Sequence, residues 1–168
     1  KAKGIRAIHS PGKFAELVAK ANPRLKFDAW AHHPYPSVPS LRPSQKVRWP
    51  NVSLSSLPRF QKSLRTWFKR KSVAIWVTEY AHQTRPQDRF GVPYAKQAAY
   101  IRQANSIAQK QRFVTMFVWF VYQDDPGQQW ESGLYMRAGT AKGASPTRFT
   151  SAARPLEFRL GLLLRQPA

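Results

Sequence analysis

Cysteine is absent from the 168 residues. That excludes disulfides and Cys-ligated zinc or iron–sulfur sites. Acidic residues are scarce, 8 against 28 Lys and Arg, for a net charge of +20. No apolar run approaches the ~20 residues that span a bilayer. No G-x-S-x-G elbow, Gly-rich phosphate loop, zinc finger or RNA-recognition signature occurs. The first residue is Lys, not Met, so the sequence reads as beginning inside a longer chain and says nothing about a signal peptide.

What is present is a core. Hydrophobic residues make up 42%, with 6 Trp, 6 Tyr and 10 Phe, which argues against a disordered basic tail. The cations are scattered, densest at Lys1–Arg6 and at Lys69, Arg70 and Lys71. A generic basic surface is therefore the expectation, and a nucleic-acid-binding protein has charge alone in its favour.

The periodicity predicts alternating helices and strands. Ser10 and Pro11 cap and open a helix to Ala21, with Phe14, Leu17, Val18 and Ala21 on its apolar face. Leu25–Ala31 alternates as a strand, with Leu25, Phe27, Ala29 and Ala31 on one face. A Pro- and Ser-rich loop follows over Ser37–Ser53, long enough to be functional, with Trp49 as a candidate ligand-contacting aromatic. Ser55 or Ser56 caps a second helix that buries Phe60, Leu64, Trp67 and Phe68, and Lys69–Lys71 complement its dipole. Val73–Val77 is a short apolar strand suited to burial on both faces. Pro93 opens a third helix, Tyr94–Lys110, with Ala98, Ile101, Ala104 and Ala108 inside, joined by Tyr94 and Ile107. Phe113–Val121 is a third strand. A polar loop over Tyr122–Gln129, a short extended piece at Ser132–Tyr135 and a helix over Pro146–Ala153 complete the order. The domain is expected over 1–155, with a basic apolar tail over 156–168. Such alternation implies βαβ units and a parallel sheet.

Polar, aromatic and acidic residues gather after the strands, as the active-face rule of α/β barrels requires. Glu79 stands out, because an apolar strand delivers a carboxylate to that end, where it needs partners or water. His32, His33 and Tyr35 follow the preceding strand, and Trp119 and Phe120 end the next. Rings that stack on a pyranose, beside groups that fix its hydroxyls, make a sugar site. No metal site is expected, since the adjacent His32 and His33 point to opposite faces.

The segments WAHHPYP (Trp30–Pro36), WVTEYAHQT (Trp76–Thr84), MFVWFVYQD (Met116–Asp124) and WESGLY (Trp130–Tyr135) resemble, in that order, the C-terminal half of clan A glycoside hydrolases, the cellulase-like (β/α)8 barrels. The resemblance implies that Leu25–Ala31, Val73–Thr78 and Phe113–Val121 are barrel strands six to eight. It implies that Glu79 is the nucleophile of a retaining mechanism and that Tyr35 hydrogen-bonds it. Trp119 would floor the sugar subsite, and His33 and His82 would support or contact the sugar. It implies β-linked sugars or polysaccharides as substrates, no cofactor and an extracellular location. The chain departs from the family in lacking the N-E-P-like segment that carries the acid/base Glu. Ala138-Gly139 also stands where relatives often show Asp-Gly. Retention needs two carboxyl groups ~5–5.5 Å apart; Glu131 or Asp124 could approach Glu79 from the last loop, but the family gives no reason to expect it. The acid/base is therefore expected upstream of this chain. An inactive or carbohydrate-binding barrel fragment is the alternative, and open barrel edges predict self-association.

Overall fold

The computed structural model describes residues 9–86, 88–125 and 130–142. The expected helix over Pro146–Ala153, the tail and the Lys1–Arg6 cluster lie outside them. The order is α1 (Pro11–Ala21), β1 (Ala29–His32), a 3-10 turn (Leu54–Ser56), α2 (Leu57–Trp67), β2 (Ala74–Tyr80), α3 (Tyr94–Lys110) and β3 (Val114–Trp119). The strands form a parallel sheet in the order β1-β2-β3, so the chain is a mixed α/β domain, as its alternation predicts.

One face of this sheet carries the core. Trp30, Ile75, Val77 and Phe117 pack with Ala15, Leu57, Phe60, Leu64, Ile101 and Ala104 in one cluster. On the opposite face Ala31 is exposed and Trp76 is 38% exposed. Burial of β2 on both faces is thus corrected, because among the described residues the helices cover only one. The first strand is also shorter than Leu25–Ala31: Leu25 and Lys26 precede it, exposed.

Helix α1 turns a different face inward from the one expected. Gly12, Ala15 and Ala19 are buried, while Phe14 and Leu17 are exposed. Its small residues allow a close approach: the Gly12 N–H donates to the Pro50 carbonyl at 2.9 Å, and a Cβ there would meet that oxygen at 2.8 Å. Of the face expected for α2, Phe60, Leu64 and Phe68 are buried and Trp67 is partly buried, and Leu57 joins them. Trp49 packs on Trp67 at 6.2 Å under the Arg59 guanidinium, which gives it a packing role.

Two register shifts decide which side chains face the site. Between β2 and β3, Val77 pairs with Phe117 but Tyr80 pairs with Trp119. Three steps of β2 therefore match two of β3. Strict alternation from Val77 would send Glu79 to the helix-covered face and Tyr80 to the open one. The extra residue reverses this, so that Tyr80 is 1% exposed and packed in the core. An inserted residue of this kind re-aims side chains. The other shift, between Ile75 and Trp76, leaves Thr115 as an extra residue in β3.

Helix α2 ends in a Schellman motif, with Arg70 N–H donating to Arg65 O at 3.0 Å and Lys69 N–H to Thr66 O at 3.4 Å. Lys69 holds the left-handed conformation, φ 52°, which costs a residue with a Cβ about 1 kcal/mol. Lys69→Gly is expected to raise stability by ~0.5–1 kcal/mol in urea titration. A destabilised variant would show that the Lys69 side chain contributes more than its backbone costs.

Candidate active site

Glu79 sits at the C-terminal end of β2 with its side chain 34% exposed. The Tyr35 hydroxyl donates to its Oε2 at 3.2 Å, and His33 Nδ1 lies 3.4 Å from the same oxygen. Both partners come from the segment after β1, so the parallel pairing of β1 with β2 brings them to the carboxylate. Burial, then the neighbouring Glu79 charge, raises the Tyr35 pKa well above the ordinary value. Tyr35 is therefore a permanent donor. Its hydrogen bond fixes the position of the Glu79 Oε2.

Aromatic rings form the wall beside Glu79. Tyr35 stacks between Tyr80, at 6.4 Å and 13°, and Trp130, at 6.1 Å and 18°. Phe120 meets Trp130 edge-on at 6.1 Å. Trp130 is 43% exposed and offers ring surface beside a half-exposed carboxylate. The sequence pattern missed its role: WESGLY marked the segment, but an aromatic in a loop carries no periodicity.

Beneath this wall lies a buried support. The His82 Nδ1 is 2.8 Å from the Pro39 carbonyl, which can only accept, so Nδ1 carries the hydrogen. His82 Nε2 then accepts from the Tyr80 hydroxyl at 2.8 Å. The Trp119 Nε1 donates to Ser132 O at 2.9 Å. Gln97, fully buried on α3, donates to His82 O at 3.0 Å and Ser132 O at 3.1 Å. His82 and Trp119 are each 1% exposed. The expectation that Trp119 floors a sugar subsite is corrected, since its ring has no open face, and of the two roles expected for His82, contact or support, its burial leaves support. They support the residues around Glu79 from below. Trp119 faces inward because the extra residue Thr115 resets the alternation of β3.

The late carboxylates are equally committed. Asp124 pairs with Lys142, both fully buried, and accepts from the Gly133 N–H at 2.7 Å. Lys142 also donates to Thr84 Oγ1 at 2.8 Å, which donates to Glu131 O at 2.8 Å. The buried Glu131 carboxylate pairs with Arg137. These bonds tie the loops after β2 and β3 together and leave neither acid free to serve Glu79. His32 and His33 diverge: His32 Nε2 faces Val52 O at 3.3 Å and its ring packs on Phe60, while His33 faces Glu79.

The family described as the glycosyl hydrolase catalytic core matches residues 46–148. A family 39 glycoside hydrolase from the gut symbiont Bacteroides cellulosilyticus WH2 is similar in fold, with 20% identity over 80% of this chain and 30% of that one, at a TM-score of 0.55. A family 128 subgroup I endo-β-1,3-glucanase from Amycolatopsis mediterranei, in complex with laminarihexaose, aligns at 18% identity over 79% of this chain and 47% of that one, at 0.49. The chain thus spans under a third of the first relative and about half of the second. No curated protein matches the sequence.

Burial lowers the pKa of His82 and of His32 to about 4, against the opposing effect of the hydrogen bonds they donate to Pro39 O and Val52 O. A depressed histidine leaves the unfolded chain binding more protons between pH ~6.5 and ~4, so stability falls as pH falls through that window. Each group contributes roughly 3 kcal/mol above it. Glu16, held at about 2 by Lys20 and then Lys13, titrates lower. The urea midpoint is expected to drop steadily from pH 6.5 to 4. A flat profile there would contradict the neutral, buried imidazoles.

Proposed function

The chain belongs to the glycosyl hydrolase catalytic core family, and on that premise we propose that it carries the nucleophile half of a retaining glycosidase acting on β-linked sugars. Glu79 is the nucleophile, and the domain is the portion of a (β/α)8 barrel that holds strands six to eight. The observation that carries this is the geometry at one oxygen. Glu79 Oε2, at the end of a parallel strand, meets Tyr35 OH at 3.2 Å and His33 Nδ1 at 3.4 Å beside the exposed Trp130. Tyr35 and His33 hold the carboxylate in place, and Trp130 and Phe120 supply ring surface for a pyranose. Glu79 attacks the anomeric carbon, the glycosidic C–O bond breaks, and water later hydrolyses the ester. The proton donor is a carboxyl of an upstream segment, which fits a chain that spans only part of its relatives. Secretion agrees with substrates of this class.

A second reading, a carbohydrate-binding or inactive protein, draws support from the same inventory, because Asp124 and Glu131 are buried and paired. A 2-deoxy-2-fluoro-β-glucoside with a dinitrophenyl leaving group separates the two, since that group departs with little help from an acid. Mass spectrometry is expected to find the sugar on the peptide containing Glu79. The label should vanish in Glu79→Gln and form about tenfold more slowly in Tyr35→Phe. A folded but unlabelled protein would favour binding without catalysis.

Self-association belongs to the same proposal. Among the described residues β1 and β3 are sheet edges, and Trp76, Phe14 and Leu17 expose apolar surface. Such edges and faces seek partners. Light scattering at micromolar concentration is expected to exceed the monomer mass. A monodisperse monomer would refute it.

A further inference from the structure

The segment before β1 and the end of α2 enclose an open recess of about 450 Å³. It lies at the end of the sheet opposite Glu79, because residues 24–28 lead into β1 whereas Tyr35 follows β1 and Glu79 lies at the C-terminal end of β2. Arg24, Lys26 and Arg70 line it, with Asp28 as its one carboxylate and Leu25, Phe27 and Phe68 as its apolar part. Among the described residues, none of the three cations forms an ion pair.

Arg70 is the built element. The Schellman turn at Lys69 directs the chain so that the Arg70 guanidinium lies over the Phe27 ring, 4.6 Å from its centroid. Its Nη1 donates to Phe27 O at 2.5 Å. One of its five donors is thereby used to orient the plane, and the remaining fork suits a carboxylate or sulfate. Phe27 is in turn held edge-on by Phe68 at 5.1 Å and Trp30 at 5.9 Å. A recess of this size is within the range of small-ligand sites, roughly 300–1,000 Å³.

We propose that this recess is a second binding site, taking one carboxylate or sulfate group borne on a sugar ring. Three cations against one carboxylate favour an anion. The exposed Leu25 offers apolar surface to the ring that carries it. Nucleic acid fits less well, because Phe27 is already covered by Arg70 and Phe68 is 4% exposed, so no aromatic face is open for a base to stack on. The choice of a sugar rests on the glycosidase reading, but the anion site does not. In a polysaccharide hydrolase such a site would hold an acidic chain away from the cleavage point.

The test is calorimetric titration of the full chain with a chondroitin sulfate disaccharide at 0.15 M salt. Binding should be unchanged in Glu79→Gln. It should weaken at least tenfold in the double variant Arg24→Ala/Lys26→Ala, whose side chains are exposed. It should change less than twofold in Lys46→Ala/Lys62→Ala, which removes the same charge elsewhere. Arg70→Lys keeps the charge but loses the fork, and should weaken binding severalfold. Equal weakening in both doubles would reduce the effect to overall charge and overturn the site. So would absence of binding, equal binding of an uncharged disaccharide such as cellobiose, or a single-stranded RNA oligomer as the only ligand lost in Arg24→Ala/Lys26→Ala. Disaccharide binding without a label on Glu79 would leave the recess standing and remove the hydrolase reading; a label without binding would do the reverse.

Discussion

One extra residue in β2 between Val77 and Tyr80 controls the arrangement around Glu79. In a strand the side-chain period is two, so a single inserted residue exchanges the faces of everything after it. Glu79 is half-exposed and Tyr80 is buried as a result. Tyr80 can then donate to His82, and His82 in turn holds the Pro39 carbonyl of the long loop after Tyr35. The stacking of Tyr35 on Tyr80 places the Tyr35 hydroxyl against Glu79. A carboxylate, its hydrogen-bond donor and the loop behind them thus share one register.

The loops beyond the strands are held by a network of buried polar groups, in which Gln97 Oε1 and Glu131 Oε2 are left without a hydrogen-bond partner among the described residues. Gln97 binds the carbonyls after β2 and in the Ser132–Gly133 turn from a position on α3. The Asp124–Lys142 pair and Thr84 close the same loops from the other side. Buried pairs of this kind add little net stability but penalise any arrangement that separates the partners. Their effect here is to keep Trp130, which follows no regular element, stacked on Tyr35.

The two ends of the sheet divide the chemistry. The end with Glu79 has aromatic rings and few cations. The end before β1 gathers Arg24, Lys26 and Arg70 around an apolar floor. The charge of +20 is thus organised at least there. It does not compete with Glu79, whose partners are a tyrosine and a histidine.

The amino-acid sequence by itself determined the order of helices and strands, the parallel sheet, most of the apolar face of α2 and the position of Glu79 near the end of a strand. These follow from periodicities of 3.6 and 2 and from Pro and Ser at helix starts, all of which are local. The tertiary structure decided what covers each face. It turned the small residues of α1 inward, left one side of β2 open, and used the extra Thr115 to bury Trp119 while Trp130 took the exposed place. It also paired Asp124 and Glu131 with Lys142 and Arg137, removing them from the chemistry. The physical reason is that a period reports which residues share a side, whereas a bulge, a loop-to-loop stack or a buried ion pair depends on contacts between segments far apart in the chain.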